Sequence, residues 1–464
     1  MGNTDTIRDI ENNIREISAR WAIWGELSLT SAIHLGRGDG DIVDMELIHD
    51  KISGYPLLTG ATQAGALRSY LLDCLKGYRV EEEKGSKVSQ LFGGTRCDDQ
   101  GGQSPLIVYD SIGAFSEAEI RDGVRLDSKT GLADNKAKYD FEVWPKGTIF
   151  PLRFDLLISK KEKEDELLRL LCLALAGLEN GEILLGAKKS RGLGACRVIK
   201  WRAMRYDLTI AKGWLNWLKS PVSPLHLLYA PDHLEIKNAI KHLYPSFTKP
   251  TIEDKRSSFK AEVELNLQGG ILIRSAGTRV DDPDHSHLTS AGEPIISGTS
   301  LAGAMRARAL RITKLFKKED LVEKLFGPKS QHLKNPYASR LIVSESVIQD
   351  SKPIRLNRVK IDRFTGGTVD GALFDEQPAY GGTAKVTFTI IEPKDEEIGL
   401  ILLLIKDLIT GDMTVGGTSG VGRGVFKGEF KELVLNKESF DPTIPEGRKI
   451  LNEFVTAFSS KGGN

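Results

Sequence analysis

An internal repeat constrains the fold of this chain more than any other feature. Pro56, Gly60, Gly65 and Arg68 recur at the same spacing as Pro294, Gly298, Gly303 and Arg306. Leu91-Phe92-Gly93 returns as Leu325-Phe326-Gly327, and Leu106, Val108 and Asp110 return as Leu341, Val343 and Glu345. Val124, Asp127, Thr130 and Gly131 match Val359, Asp362, Thr365 and Gly366, and Gly147-Thr148 matches Gly382-Thr383. Finally, the glycine-rich stretch 186–194 pairs with 416–424. Matched segments in one order at a nearly fixed separation imply two copies of one domain. The length of 464 residues agrees, being too great for a single ordinary core.

The repeat sets the expected boundaries: an N-terminal helix over 1–20, a first domain over 21–205 and a second over 258–440. The intervening segment 206–257 carries Pro221, Pro224, Pro231, Pro245 and Pro250, has no counterpart in the repeat, and reads as a linker with short helices. A polar tail occupies 441–464, and its helix-like stretch 448–458 is expected to pack on a neighbouring subunit. Each copy reads alike. An alternating strand (22–29; 260–267) leads into an Asp/Gly-rich loop, and a hydroxyl-capped helix follows the Gly60 or Gly298 turn (61–75; 299–316). A β-rich middle with a hairpin near 127–140 or 362–375 precedes a second helix (164–178; 396–408), the glycine-rich turn and a last strand. Strand, helix, strands, helix, strand is the ferredoxin-like α+β plan, here twice in tandem.

Composition narrows the class. With 27% charged and 40% hydrophobic residues the chain is globular, and no apolar run approaches the length of a membrane span. Four scattered cysteines form no CxxC pair, so no disulfide framework or structural zinc site is expected and a reducing cytoplasm fits best. A net charge of +1 is low for a nucleic-acid binder, so any RNA contact must rest on local basic clusters. Neither glycine-rich loop reads GxxxxGK[ST], which argues against a Walker-type nucleotide site.

The P-[LI]-[LI]-x-G-x-[TS]-x-x-G-A-[LM]-R segment, the LFG and L-x-V-x-[DE] motifs, V-x-[IL]-D-x-x-T-G and the closing glycine loop together resemble the RAMP superfamily of CRISPR effectors. The duplicated arrangement is similar to the fused backbone subunits of subtype III-D. This resemblance implies a guide-RNA-binding backbone subunit of a type III ribonucleoprotein. Its partners would be CRISPR guide RNA, complementary single-stranded target RNA, and other backbone and large polymerase-like subunits, with no membrane. Each hairpin would be a thumb inserted into the guide–target duplex, the protein reading shape while base pairing reads sequence.

In active members of the family an aspartate after the first strand cleaves target RNA with a divalent cation. It lies some sixteen residues before the first glycine of the helix turn, which selects Asp44 in the first copy and Asp282 in the second. Asp284 is the rival if the second loop is two residues shorter. A carboxylate there can hold hydrated Mg²⁺ or Mn²⁺, for which Asp44 and Asp282 are the candidate ligands, or orient a 2′-OH for in-line attack. Asp and Gly also make ordinary solvated turns, and the alternative function is a non-catalytic subunit that only holds guide and target. His285 and His287 are possible acid–base partners or transition-metal ligands, and His34 precedes the first acidic loop. A stand-alone guide-processing ribonuclease is a third reading, disfavoured because these loops are acidic.

For the guide backbone, the candidates are the glycine-loop residues Lys188, Lys189, Arg191, Gly192 and Gly194, and Gly422, Arg423 and Gly424 in the second copy. Arg68 and Arg306 are the equivalent candidates on the first helix of each copy, with Arg308 and Arg311 further round the second.

Overall fold

The computed structural model describes residues 16–39, 43–94, 102–127, 133–159, 164–220, 230–248, 253–275, 283–328 and 337–460. In the first half, β1 (Ala19–Leu29) leads through β2 (Gly36–Asp39) and β3 (Met45–Leu47) to α1 (Gly60–Lys76) and α2 (Lys87–Phe92). Then come β4 (Leu106–Val108), the hairpin β5 (Glu119–Leu126) and β6 (Ala133–Val143), β7 (Ile149–Ile158), α3 (Glu164–Glu179) and β8 (Cys196–Asp207). The core sheet has the antiparallel order β8-β1-β7-β4. In core strands numbered along the chain this is 4-1-3-2, as in the ferredoxin-like plan.

The short helices α4 (Ala211–Lys219) and α5 (Ile236–Leu243) lie between the halves. Ile236, Ala239 and Ile240 of α5 join the first hydrophobic core, so this helix packs on the first domain.

The second half repeats the order with β9 (Ser258–Gln268), β10 (His285–His287), α6 (Gly298–Phe316), α7 (Asp320–Phe326) and β11 (Leu341–Val343). A hairpin of β12 (Leu356–Ile361) and β13 (Thr368–Gln377) precedes β14 (Thr383–Ile391), α8 (Asp395–Ile409) and β15 (Val425–Leu435). The sheet runs β11-β14-β9-β15, extended at its edge by β16 (Glu438–Phe440). A last helix, α9, spans Pro445–Ser459.

Local chemistry explains these elements. Along β9, Phe259, Ala261, Val263, Leu265 and Leu267 are buried and their neighbours are not, the period of a half-buried strand. Helix α1 starts where the Thr59 hydroxyl accepts the Thr62 N–H, and α6 where Ser297 accepts from Ser300, each at 3.2 Å. The second helices carry an apolar face into the core of their halves: Leu168, Leu171 and Leu175 on α3, and Ile398, Ile401 and Ile405 on α8.

Two expectations change. The predicted N-terminal helix lies largely outside the described residues, and Ala19 and Arg20 already belong to β1. The 448–458 stretch does form a helix, but it packs on this chain's own α8. Phe454 and Phe458 are buried in the second core, and Gly399 lets the two backbones approach where a Cβ would collide with the Phe454 carbonyl.

Candidate nucleic-acid interface

In both halves the acidic loop is fastened to the base of the hairpin by the same device. Met45 of β3 pairs in parallel with Phe141 of β6, which sets Asp44 beside Asp140. The Asp44 N–H donates to Asp140 Oδ1 at 3.0 Å, and the Asp140 N–H donates to Asp44 Oδ2 at 3.0 Å. In the second half His285 of β10 pairs in parallel with Glu376 of β13. There the Asp284 N–H donates to Asp375 Oδ1 at 2.8 Å and the Asp375 N–H to Asp284 Oδ2 at 3.0 Å. At the end of a short parallel ladder two N–H groups lack strand partners, and each aspartate supplies an acceptor for the other's backbone.

This reciprocal clasp fixes the correspondence between the halves. Asp284, not Asp282, occupies the place of Asp44, because the second loop is two residues shorter. Asp282 itself lies outside the described residues. Asp140 and Asp375 marked only the ends of a predicted hairpin. Their separation, the same as that of Asp127 from Asp362 in the repeat, was the available signal, but pairing with a loop almost a hundred residues away is not written in local spacing.

Electrostatics differ between the clasps. The Asp375 carboxyl is held below the usual carboxylate range, first by the Asp284 N–H and then by the Arg355 guanidinium, whose Nε lies 2.6 Å away. His287 is buried and saturated: its Nδ1 accepts the Ile273 N–H at 3.1 Å and its Nε2–H donates to the Ile295 carbonyl at 2.9 Å. Burial pushes its pKa down to about 4, so it is neutral at pH 7 with neither nitrogen open to a metal. His34 is also buried; its Nδ1–H donates to the Glu142 carbonyl at 2.7 Å and its ring stands edge-on to Phe141. Among the described residues no group of three or more His, Cys, Asp or Glu side chains gathers as a metal cage. Asp44, Asp140 and Asp284 each keep one oxygen outside the reciprocal pair, whereas that of Asp375 accepts from Arg355. That donor set fits a hydrated Mg²⁺ or Mn²⁺ carried by one or two carboxylates, and does not fit a dehydrated transition-metal site.

The glycine-rich loops adopt one conformation twice. Lys188 and Thr418 have φ of +55° and +58°, a single 3-10 turn follows (Lys189–Arg191; Ser419–Val421), and Gly192 and Gly422 close it at +87° and +82°. Gly194 and Gly424 are required twice over: both have positive φ, and a Cβ would strike the carbonyl of Leu185 or Val415.

Their basic residues point in different directions. Lys188 Nζ lies 4.3 and 4.2 Å from the ring centres of Tyr139 and Phe141 and 3.0 Å from the Tyr139 hydroxyl, while Lys189 is exposed. Arg423 is only 3% exposed and pairs with the buried Glu376 carboxylate, so it is engaged inside the fold. Arg68 is engaged too: its Nε and Nη2 bind Glu82 at 2.7 and 2.8 Å, and its Nη2 donates to the Gly93 carbonyl at 3.0 Å, tying α1 to the LFG turn. Arg308 pairs with Asp407 at 2.7 Å. Arg306 makes no comparable ion pair among the described residues.

The first glycine loop also forms the seam with the second half. A Cβ on Gly298 would strike the Arg191 carbonyl, and one on Gly192 would strike the Glu345 backbone. Beside it, Arg121 of β5 and Glu345 form a buried ion pair, the Glu119 carboxylate accepts the Ala291 N–H at 2.6 Å, and Lys146 meets Glu293 at 2.7 Å. Sequence reading missed this seam, because Glu345 reads there only as the counterpart of Asp110. In the first half Asp110 accepts the Gly60 N–H at 2.6 Å, at the start of α1.

Away from the seam, both hairpins carry exposed apolar side chains, including Val124 and Leu126 on one and Ile361, Phe364 and Leu373 on the other. Phe364, 82% exposed, has the Arg363 guanidinium 4.6 Å from its ring centre. Among the described residues no helix is long and apolar enough to cross a membrane.

No curated protein is similar enough to the chain to count as a relative. The sequence pattern of the RAMP superfamily, in contrast, matches it twice, over residues 26–197 and 265–427. Those two matches coincide with the two halves, each with the 4-1-3-2 sheet, the clasped acidic loop and the glycine loop, and they cover well over half of the sequence: the chain belongs to the RAMP superfamily.

Proposed function

We propose that the chain is a tandem-duplicated, guide-RNA-binding backbone subunit of a type III CRISPR ribonucleoprotein, of the subtype III-D kind, that positions complementary target RNA for cleavage at its acidic loops. The observation that carries this reading is the repeated clasp. Twice in one chain, a loop aspartate is locked to the base of a hairpin that exposes apolar side chains. Such a hairpin suits insertion between stacked bases, and the clasp would hold a carboxylate at a constant distance from the nucleotide it displaces.

Asp44 and Asp284 are the proposed catalytic groups, with Asp282 retained as the rival in the second loop. Mg²⁺ or Mn²⁺, when bound, would supply Lewis-acid stabilisation of the phosphate. This chain's own residues would place the carboxylate beside the scissile linkage and hold the target strand bent for in-line attack. A second reading has an observation of its own. The same carboxylates already accept backbone N–H bonds, a role that a purely structural subunit explains equally well.

The reconstituted complex decides between them. A labelled complementary RNA is incubated with wild type, Asp44→Asn, Asp282→Asn and Asp284→Asn. An asparagine keeps one oxygen to accept the partner N–H, so the clasp survives and a lost cut reports chemistry. We expect Asp44→Asn and Asp284→Asn each to abolish one distinct cut while guide binding persists. An unchanged cut pattern would make the chain a scaffold only.

A further inference from the structure

The turn that follows the sheet is repeated as well. Asp207-Leu-Thr-Ile-Ala-Lys-Gly213 opens α4 as Asp441-Pro-Thr-Ile-Pro-Glu-Gly447 opens α9. Asp207 accepts the Thr209 N–H at 3.0 Å and Asp441 the Thr443 N–H at 2.8 Å, and a Cβ on Gly213 or Gly447 would strike the Asp207 or Asp441 carbonyl. The two helices are therefore counterparts, matched residue for residue at their starts. Their inner faces agree: Trp217 packs on the apolar cluster of Ala22, Tyr206 and Leu208, and the matched Leu451 packs on the second core.

Their outer faces do not agree. Arg448, Lys449 and Asn452 of α9 are exposed and polar, as suits a helix that faces water. The matched residues of α4 are Trp214, Leu215 and Leu218, with Leu215 53% and Leu218 67% exposed. Lys212, Asn216 and Lys219 make a single polar stripe, so α4 is apolar around most of its circumference, the pattern of a covered helix. A contiguous exposed apolar patch of this kind marks a contact surface.

Residues 1–15 lie outside the described residues, but the place from which they depart is described. Ile17 packs against the same cluster as Trp217, the Ser18 carbonyl accepts the Leu208 N–H at 2.9 Å, and the Arg20 guanidinium lies 5.0 Å from the Trp217 ring centre. Upstream, Ile14, Ile10 and Ile7 continue from Ile17 at steps of three, four and three residues with polar residues between them, the spacing of one apolar helix face. Such a helix would rise about 15 Å from Ile7 to Ile17, enough to span the roughly 13 Å of α4. We propose that residues 1–15 dock through Ile7, Ile10 and Ile14 on Trp214, Leu215 and Leu218 of α4, closing this side of the first domain with the chain's own N-terminal segment. Tethering at Ile17 makes the contact intramolecular and favours it over capture of a separate molecule. The polar outer face of α9 needs no such cover. The inference is independent of the RNA-binding reading.

The test compares the full wild-type chain with Ile10→Asp/Ile14→Asp and with Leu215→Lys/Leu218→Asn, which imports the matched residues of α9. Hydrogen exchange, binding of the dye ANS and mass by light scattering are followed for each. In wild type the amides of residues 7–15 should exchange about tenfold or more slowly than in an unstructured chain. Both variants should lose that protection, although the α4 substitutions lie some two hundred residues away in sequence. The isoleucine variant should also bind ANS through the bared face of α4, and the α4 variant should not. Unprotected amides over 7–15 in wild type would overturn the proposal, as would protection that survives the α4 substitutions, since the segment would then be held elsewhere. An isoleucine variant that gains no ANS binding would show that another segment covers α4, and would overturn it too. A wild-type oligomer that dissociates in the α4 variant would make a second copy the occupant, with the same consequence.

Discussion

The two halves share a backbone and differ in how they join the glycine loop to the hairpin. In the first half Phe141 and Leu193 meet in a small apolar cluster, with Lys188 lying over the rings of Tyr139 and Phe141. In the second half the matched positions are Glu376 and Arg423, a buried ion pair that Arg358 also joins. Burial alone would raise the Glu376 pKa, but the hydrogen bond and charge of Arg423, with the charge of Arg358, hold it below the usual range. One joint is therefore apolar and the other ionic, at the same two places and with the same loop conformation. The geometry is what both halves require; the chemistry that maintains it is exchangeable so long as both partners change together.

That comparison is most sharply broken by changing one partner. Arg423→Leu leaves the buried Glu376 with Arg358 alone as its ion-pair partner and should cost up to about 3–5 kcal/mol in chemical denaturation. Adding Glu376→Phe imports the first half's pair, and stability should return to wild type or exceed it by about 1–4 kcal/mol. A double variant as unstable as the single one would mean that the two joints are not interchangeable.

A smaller effect separates the halves by pH. Leu47 of β3 and His287 of β10 occupy matched buried positions. The folded pKa of His287 is depressed from 6.5 to about 4, so its contribution is complete above pH 6.5 and is lost as pH falls toward 4. The full loss is about 3 kcal/mol. Denaturation followed across that range should show the second domain weakening first, and His287→Leu should remove most of the slope while lowering stability at neutral pH by orphaning the Ile273 N–H and Ile295 carbonyl. Equal acid sensitivity of wild type and variant would assign the weakening to other groups.

The smallest expected effect concerns Lys188. Lys188→Ala should destabilise the first domain by about 0.5–1 kcal/mol through its lost contact with Tyr139 and Phe141, whereas Thr418→Ala in the matched position should be neutral within about 0.5 kcal/mol. Differential hydrogen exchange at the two glycine loops would resolve the difference.

Much of the fold was legible because its signals are local. Alternating burial marked β9, the hydroxyl before Gly60 and Gly298 marked the helix starts, and glycines 194 and 424 stand where positive φ and a close carbonyl demand them. The site was legible only in part. A count back from Gly298 lands on Asp282, because counting assumes loops of equal length; the clasp to Asp375 selects Asp284 as the match of Asp44. The directions of Arg68 and Arg423 were not legible at all, since each is settled by a carboxylate distant in sequence or on another strand.

The sequence by itself determined that this chain repeats one βαββαβ unit, where its helices begin, and which loops are acidic or glycine-rich, because periodicity, capping and steric demands act over a few residues. Only the tertiary structure decided which charges are already neutralised inside the fold, as Arg68, Arg308 and Arg423 are, and which pair across the seam, as Arg121 and Glu345 do. Those outcomes depend on distances across sheets and between halves, and Coulomb interactions and desolvation respond to spatial rather than sequence separation.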